Sequence, residues 1–484
     1  MRLALGFALA LCVSSAAGSA ARAADRPVEV GFGEADITPA VDGATPVWIA
    51  GYGQNRRAQS VHDPLHVRAV VLRQGADKIA LVSADIVGLH YTTTQEIRAR
   101  LDDFTYVMVA STHNHEGPDT MGLWGPSPFK SGIDPEYMTL LKDRAVEAVR
   151  QAEAAAVAAT AQYGTAEDAS LLRDSRLPEV YDPVLRVVEF RRAEGGERIG
   201  ILVQWNNHPE CLGGSNPHIS ADFPGYTVAE LVERYACPVA YFTGPVGGLM
   251  APPRGIIKGD DGRPLQEGDF EYARRYGIAV ADLAQKAIEA AEPLSLNGLV
   301  VRSRTLALPV TNPVYLAARG LGIMKREGVV WTGDPYDLSQ PVTAANANQP
   351  AAIVSEVACL RLGELYIACI PGELYPEAVY GEYQEPVEPN VDFPDAPLEP
   401  PVAETLPGER ILIFGLANDE VGYIVPKRQW DDAPPFAYGR ETKQYGEVNS
   451  LGPETCPILM RALVDVVADL PPAGSPSPAA AGGR

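Results

Sequence analysis

The chain predicts an α/β fold: mixed β-sheets with flanking helices, and an active site at the C-terminal ends of strands. Three observations lead there. Apolar runs of strand length alternate with longer runs of helical periodicity. Several strands stop on an ionisable side chain, at His113, His208, Glu373 and Tyr423, and in α/β folds sites gather at strand ends. The length of 484 residues is enough for a large core.

Residues 28–39 alternate as a strand and end in a turn. Gly31-Phe32-Gly33 is half of a dinucleotide fingerprint, but no third glycine or helix follows, so that reading is set aside. Residues 69–72 and 78–85 form a hairpin around Gln74-Gly75, and 92–101 a short helix. The strand 105–110 comes next, then a long helix capped by Asp134, opened by Pro135 and running to about Ala158. Strands at 184–191 and 199–205, a helix at 221–235, a strand at 239–243 and a helix at 270–291 follow. Further strands lie at 298–309, 354–370 and 410–416. Between the last two, residues 382–409 hold seven prolines and eight acidic residues with no basic one, the composition of a long loop or lid.

The first residues read as an export signal. Arg2 is the positive start, residues 3–13 are apolar, and Ala21-Arg22-Ala23 is a cleavage pattern. The expected organisation is a leader at 1–23, one catalytic domain at 24–470 and a disordered Pro/Ala/Gly/Ser-rich tail at 471–484. No segment is long enough to span a bilayer, so the mature protein is expected in the periplasm or outside the cell. Loss of Arg2 and Arg22 with the leader takes the formal charge from −22 to −24, which argues against nucleic acid as a partner.

Five cysteines remain after the leader, Cys211, Cys237, Cys359, Cys369 and Cys456, without a C-x-x-C spacing, so a cysteine zinc site is not expected. Cys359 and Cys369 flank Gly363-Glu364. A two-residue turn there puts them on opposite sheet faces; a three-residue turn pairs them.

His113 and His115 follow the apolar strand directly, and residues two apart on a strand share a face. Two imidazoles side by side suit a metal site or a ligand–base pair. His208 also follows an apolar strand and precedes Pro209, which holds its backbone extended. His62 and His66 read as turn supports, His90 as a surface residue at a helix start, and His218 as helix-entry structure. Two histidines and a carboxylate from distant strands suit catalytic zinc, which keeps a position open for water.

The chain resembles the neutral/alkaline (non-lysosomal) ceramidase family, in its zinc-dependent catalytic domain. The resembling blocks are residues 31–39 (GFGEADITP), Thr112-His113-Asn114-His115-Glu116-Gly117-Pro118, His208 with Ile219-Ser220-Ala221-Asp222, Pro371-Gly372-Glu373, and Gly415-Leu416-Ala417-Asn418-Asp419 with Gly422-Tyr423. The resemblance implies a Zn2+ ion held by His113, His208, Glu373 and Tyr423, with His115 as an active-site residue. It implies Tyr445 as an oxyanion donor and Arg176 as an active-site arginine, with Arg173 as its rival. Three departures stand out. Met250 occupies the family's serine position, Glu116 replaces the serine of S-G-P beside a further carboxylate, Asp119, and there is no room for a C-terminal immunoglobulin-like domain.

The implied reaction is zinc-assisted hydrolysis of an amide in ceramide or another small-molecule or lipid N-acyl substrate, with an ester bond as the alternative. His115 acts as base and then acid, while Glu116 or Asp119 orients it or binds a cationic amine. Two rival readings are a metal-dependent amidohydrolase barrel, which also opens on H-x-H after a strand, and a binding protein that lost the reaction, motivated by Met250.

Overall fold

The computed structural model describes residues 26–472, so the leader expected at 1–23 and most of the tail expected at 471–484 lie outside the described residues. Two sheets pack face to face with helices on both outer sides. The larger sheet has nine strands. Its path runs Val239–Thr243, Arg198–Trp205, Val184–Arg192, Val157–Glu167, Glu29–Asp36, His66–Gln74, Asp77–Ala84 and Tyr106–Ser111, with Glu292–Leu294 added beside Val157–Glu167. The second sheet orders Leu299–Pro309, Ala351–Leu362, Leu365–Cys369 and Ile411–Phe414, with Gly328–Val330 on Ala351–Leu362.

Most strand pairs are antiparallel, which excludes the all-parallel amidohydrolase barrel. The parallel pairs matter most. Within the two large sheets they join Val239–Thr243 to Arg198–Trp205, Asp77–Ala84 to Tyr106–Ser111, and Leu365–Cys369 to Ile411–Phe414. Every strand that leads into a ligand expected for the metal belongs to one of them.

The larger sheet curls. Glu29–Asp36 meets Val157–Glu167 over two residue pairs only, Glu29 with Ala158 and Val30 with Val157. The two ends of the path therefore swing toward each other, and Thr243 Oγ1 donates to Thr112 O at 2.7 Å across the gap. Residues after Ile411–Phe414 fill what is left. Gly415 N donates to Thr243 O, and Ala417 bridges Ala110.

The core between the sheets holds Val70, Leu81, Met108, Phe190 and Phe242 from one and Leu360, Ile367, Leu412 and Phe414 from the other. Outside the larger sheet lie the helices Pro135–Ala155, Asp222–Tyr235 and Phe270–Glu289; outside the second lies Thr455–Ala468. Pro135–Ala155 starts as expected, with the Asp134 carboxylate accepting Glu136 N at 2.9 Å. It ends at Ala155, and Val157–Glu167 is a strand that the alanine-rich sequence had hidden. Thr455–Ala468 was also missed, although Leu459, Met460, Leu463 and Val466 mark its buried stripe. Leu362 faces Leu365, so Gly363-Glu364 is a two-residue turn. Cys359 and Cys369 accordingly fall in different cores, and all five described cysteines are free and buried.

The glycines near the N-terminus are there for packing. A Cβ on Gly31 would stand 2.0 Å from Ala152 O and one on Gly33 2.1 Å from Ala148 O, both on the helix Pro135–Ala155. Gly33→Ala should therefore destabilise the protein by about 1–3 kcal/mol, read as a lower urea midpoint, because backbone cannot yield as a side-chain tip would.

Candidate metal centre and active-site cleft

His113 does not leave the strand as alternation predicts. The strand Tyr106–Ser111 ends two residues earlier, and His113 has φ 66°, in the left-handed region. Thr112 N and Asn114 N still bond to Ala84 O and Ile86 O, so the loop extends the sheet edge while the strained residue turns its ring inward. The His113 and His115 rings come 4.7 Å apart at 74° by this turn.

His208 enters from the far end of the curled sheet, its ring 4.8 Å from that of His113. Glu373 and Tyr423 arrive as partners in a two-residue parallel ladder, Glu373–Leu374 beside Tyr423–Ile424. His113, His208 and Glu373 are buried and offer ligand atoms within 4.8 Å of one another. Glu373 Oε2 is 2.9 Å from His208 Nε2 and 3.5 Å from His113 Nε2; the Tyr423 hydroxyl is 3.4 Å from His208 Nε2.

The tautomers decide what this cluster can hold. His113 Nδ1 lies 2.7 Å from Val87 O, and His208 Nδ1 lies 2.6 Å from Met250 O. A carbonyl only accepts, so both Nδ1 atoms carry protons. In the neutral rings both Nε2 lone pairs then face a carboxylate, which is repulsive unless positive charge sits among them. Burial pulls the His208 imidazole down, but Glu373 outweighs it and holds it above its ordinary value. Burial would raise Glu373, yet His113 and His208 hold it well below the usual carboxylate range. A divalent cation fits this donor set, with both Nε2 atoms, the Glu373 carboxylate and the Tyr423 hydroxyl around it.

His115 stands beside the cluster. Its Nδ1 is 3.1 Å from Glu210 Oε1, and its ring meets Tyr52 edge-on at 5.1 Å. Burial, against the pull of Glu210, pushes its imidazole down to about 4. A cleft of about 460 Å3 opens on these groups, with Tyr52, Met121, Trp124, Tyr315 and Tyr445 on its walls.

Several expectations need correction. Glu116 faces away from His115. It is buried against Arg56 at 2.7 Å and Asn216 at 3.0 Å. Asp119 accepts the backbone N–H groups of Met121, Gly122, Trp124 and Gly132, so it builds the cleft wall. Arg176 does not reach the cleft, so the oxyanion-side role does not fit its placement. Its guanidinium is buried, bidentate to Glu447, and donates to Gln429 O and Tyr445 O. It fixes the backbone of Tyr445, a residue 48 % exposed that lines the cleft. Met250 packs its side chain into the core and lends the site only its carbonyl. His90 is buried, accepting from Arg326 at Nδ1 and donating to Met121 O from Nε2. His62 and His66 lie outside the cluster, next to Asp63 and Glu34, and His218 meets Ser60. Sequence reasoning missed Glu210, although an acid two residues past a ligand histidine was the available signal; nothing in the sequence marked Tyr52.

Residues 28–246 match the family model described as neutral/alkaline non-lysosomal ceramidase, N-terminal. Over those residues the chain is similar to that family. The neutral ceramidase of Pseudomonas aeruginosa is 26 % identical over 293 residues, and the match spans 55 % of this chain but only 43 % of that protein's length. The crystal structure of neutral ceramidase from Pseudomonas aeruginosa superimposes with a TM-score of 0.68 at 20 % identity, covering 92 % of this chain and 74 % of that one. A ceramidase complexed with C2 gives 0.66 at 18 % identity, covering 92 % and 75 %. This chain thus has the ceramidase fold over nearly its whole described length. Glu373, Tyr423 and Tyr445 lie beyond the family-model match.

Two outcomes follow. A Cβ on Gly51 would fall 2.3 Å from His115 Cγ, and its φ is +98°. Gly51→Ala should displace His115 and lower turnover at least tenfold while metal content, measured by atomic absorption, stays unchanged. His90 is held neutral by burial and Arg326, its value lowered from 6.5 to about 3. The unfolded chain therefore takes up a proton that the folded one refuses. Stability from this site is complete above 6.5 and falls as pH drops toward about 3, by up to about 1.4 kcal/mol per pH unit. His90→Gln should flatten that part of the denaturation-versus-pH curve.

Proposed function

We propose that this protein is an exported zinc-dependent hydrolase of N-acyl amide bonds. One observation carries the reading: two histidines, locked at Nδ1 by main-chain carbonyls, aim Nε2 at the Glu373 carboxylate, with a third histidine, His115, beside them. His113, His208, Glu373 and Tyr423 would hold the zinc. Zinc supplies the Lewis acidity that lets water attack at neutral pH. The leader pattern at 1–23 supports export, and no helix among the described residues is long and apolar enough to cross a membrane.

The remaining work falls to this chain's own groups. Glu210 lies 3.1 Å from His115 Nδ1, and Nε2 of His115 would take the proton of the attacking water. His115 returns a proton to the amine nitrogen as the C–N bond breaks, giving a carboxylic acid and an amine. The Tyr445 hydroxyl, which accepts from Asn449, is placed at the cleft to donate to the acyl oxygen as it gains charge. Arg176 keeps Tyr445 there. Ceramide is one substrate to test, because the relatives named above are ceramidases.

The purified chain should carry one zinc, and His113→Ala or His208→Ala should lose it. Glu210→Gln should retain zinc yet lose about 10- to 100-fold in kcat, and His115→Ala should lose more. Assays use ceramide and matched short- and long-chain N-acyl amides. Full turnover without metal, or in His115→Ala, would overturn the assignment.

A further inference from the structure

A second cleft, of about 260 Å3, shares Tyr52 with the first and has Arg173, Ser175, Glu210, Arg254 and Glu267 on its walls. Its charges are not equally committed. Arg254 meets Glu267 at 3.2 Å, and Glu210 meets His115 at 3.1 Å. Arg173 donates from Nη1 to Ser175 Oγ at 2.5 Å and from Nε to Pro252 O at 3.4 Å. Among the described residues no carboxylate pairs with it, so a guanidinium edge is left for a ligand.

Arg173 is also tied to the metal ligands through backbone. Its N donates to Ala251 O at 3.0 Å, and Ala251 N donates back to Arg173 O at 2.8 Å. The preceding residue, Met250, supplies the carbonyl that fixes His208 Nδ1. One connected segment thus carries a ligand-holding carbonyl and anchors the uncommitted arginine. The two clefts adjoin at Tyr52 and at the His115–Glu210 contact, where the amine is released in the proposed reaction.

We propose that the second cleft binds a carboxylate on the amine half of the substrate, so that the protein acts on N-acyl amino acids. This rests on the amide-hydrolase reading above. Hydrolysis splits the C–N bond; the acyl half leaves as a carboxylic acid and the amine half as a free amino acid. The carboxylate of that half lies two bonds beyond the nitrogen that His115 protonates. The planar guanidinium of Arg173 pairs a carboxylate through two parallel N–H donors, and the Ser175 hydroxyl, accepting from Arg173, keeps its own proton to donate.

The test compares N-octanoylglycine with N-octanoylglycinamide, which differ only in the anion. For the wild-type holoenzyme, kcat/KM should favour the carboxylate about tenfold or more, chiefly through KM. In Arg173→Ala the ratio should collapse to about one, and Arg173→Lys, which keeps the charge without the fork, should fall between. Circular dichroism and zinc content establish that each variant is folded and loaded. A ratio of one in the wild type, or a ratio unchanged in both variants, overturns the proposal. A third substrate, N-octanoyl-O-phosphoethanolamine, separates the sources of negative charge, and an Arg173-dependent preference for it over the carboxylate overturns the carboxylate assignment. Calorimetric binding of N-octanoylglycine keeps the two readings apart. Arg173-dependent binding without turnover would sink the hydrolase and leave the anion site standing. Turnover of the glycinamide with no Arg173-dependent binding would do the reverse.

Discussion

The structure hangs on the meeting of two sheet edges. The nine-stranded sheet curls at its two-pair junction until Thr243 reaches Thr112, and Asn418 closes the seam. Asn418 N donates to Val109 O while its side-chain oxygen accepts Val109 N, so the edge strand Tyr106–Ser111 is completed by one residue acting twice. Without that seam His113 and His208 would end up at opposite ends of a sheet path. The seam also satisfies edge N–H and C=O groups that would otherwise be open to pairing with another chain.

The donor set follows from this closure. Each histidine needs a main-chain carbonyl in the right place, and each carbonyl comes from a segment beside its strand: Val87 after Asp77–Ala84, Met250 after Val239–Thr243. Met250 illustrates how a position can serve the site with its backbone while its side chain is free to change. A methionine there fills core space, packed with residues such as Trp205 and Tyr276, and the histidine feels only the carbonyl.

Much of this was legible in the sequence, for physical reasons. Strands with strict apolar content and capped helices carry their own signals, as at Asp134-Pro135. The residues in the metal cluster stood out because they are ionisable groups directly after apolar strands. What failed depended on direction or on neighbours far away in the chain. Val157–Glu167 is alanine-rich and continues from a helix, so local propensity favoured the wrong state. Glu116 and Asp119 sit beside His115 in sequence, but Arg56 and four backbone N–H groups claim them. His90 looked like a surface residue because nothing local foretells Arg326.

Asp119 has a wider effect than its place in the sequence suggests. With both carboxylate oxygens engaged by main-chain N–H groups on either side of residues 125–131, it acts as a clasp on the wall that carries Met121 and Trp124. A wall held this way is already in shape before a substrate arrives. Little chain entropy remains to be lost along this wall on binding, so it meets a ligand as a standing mould.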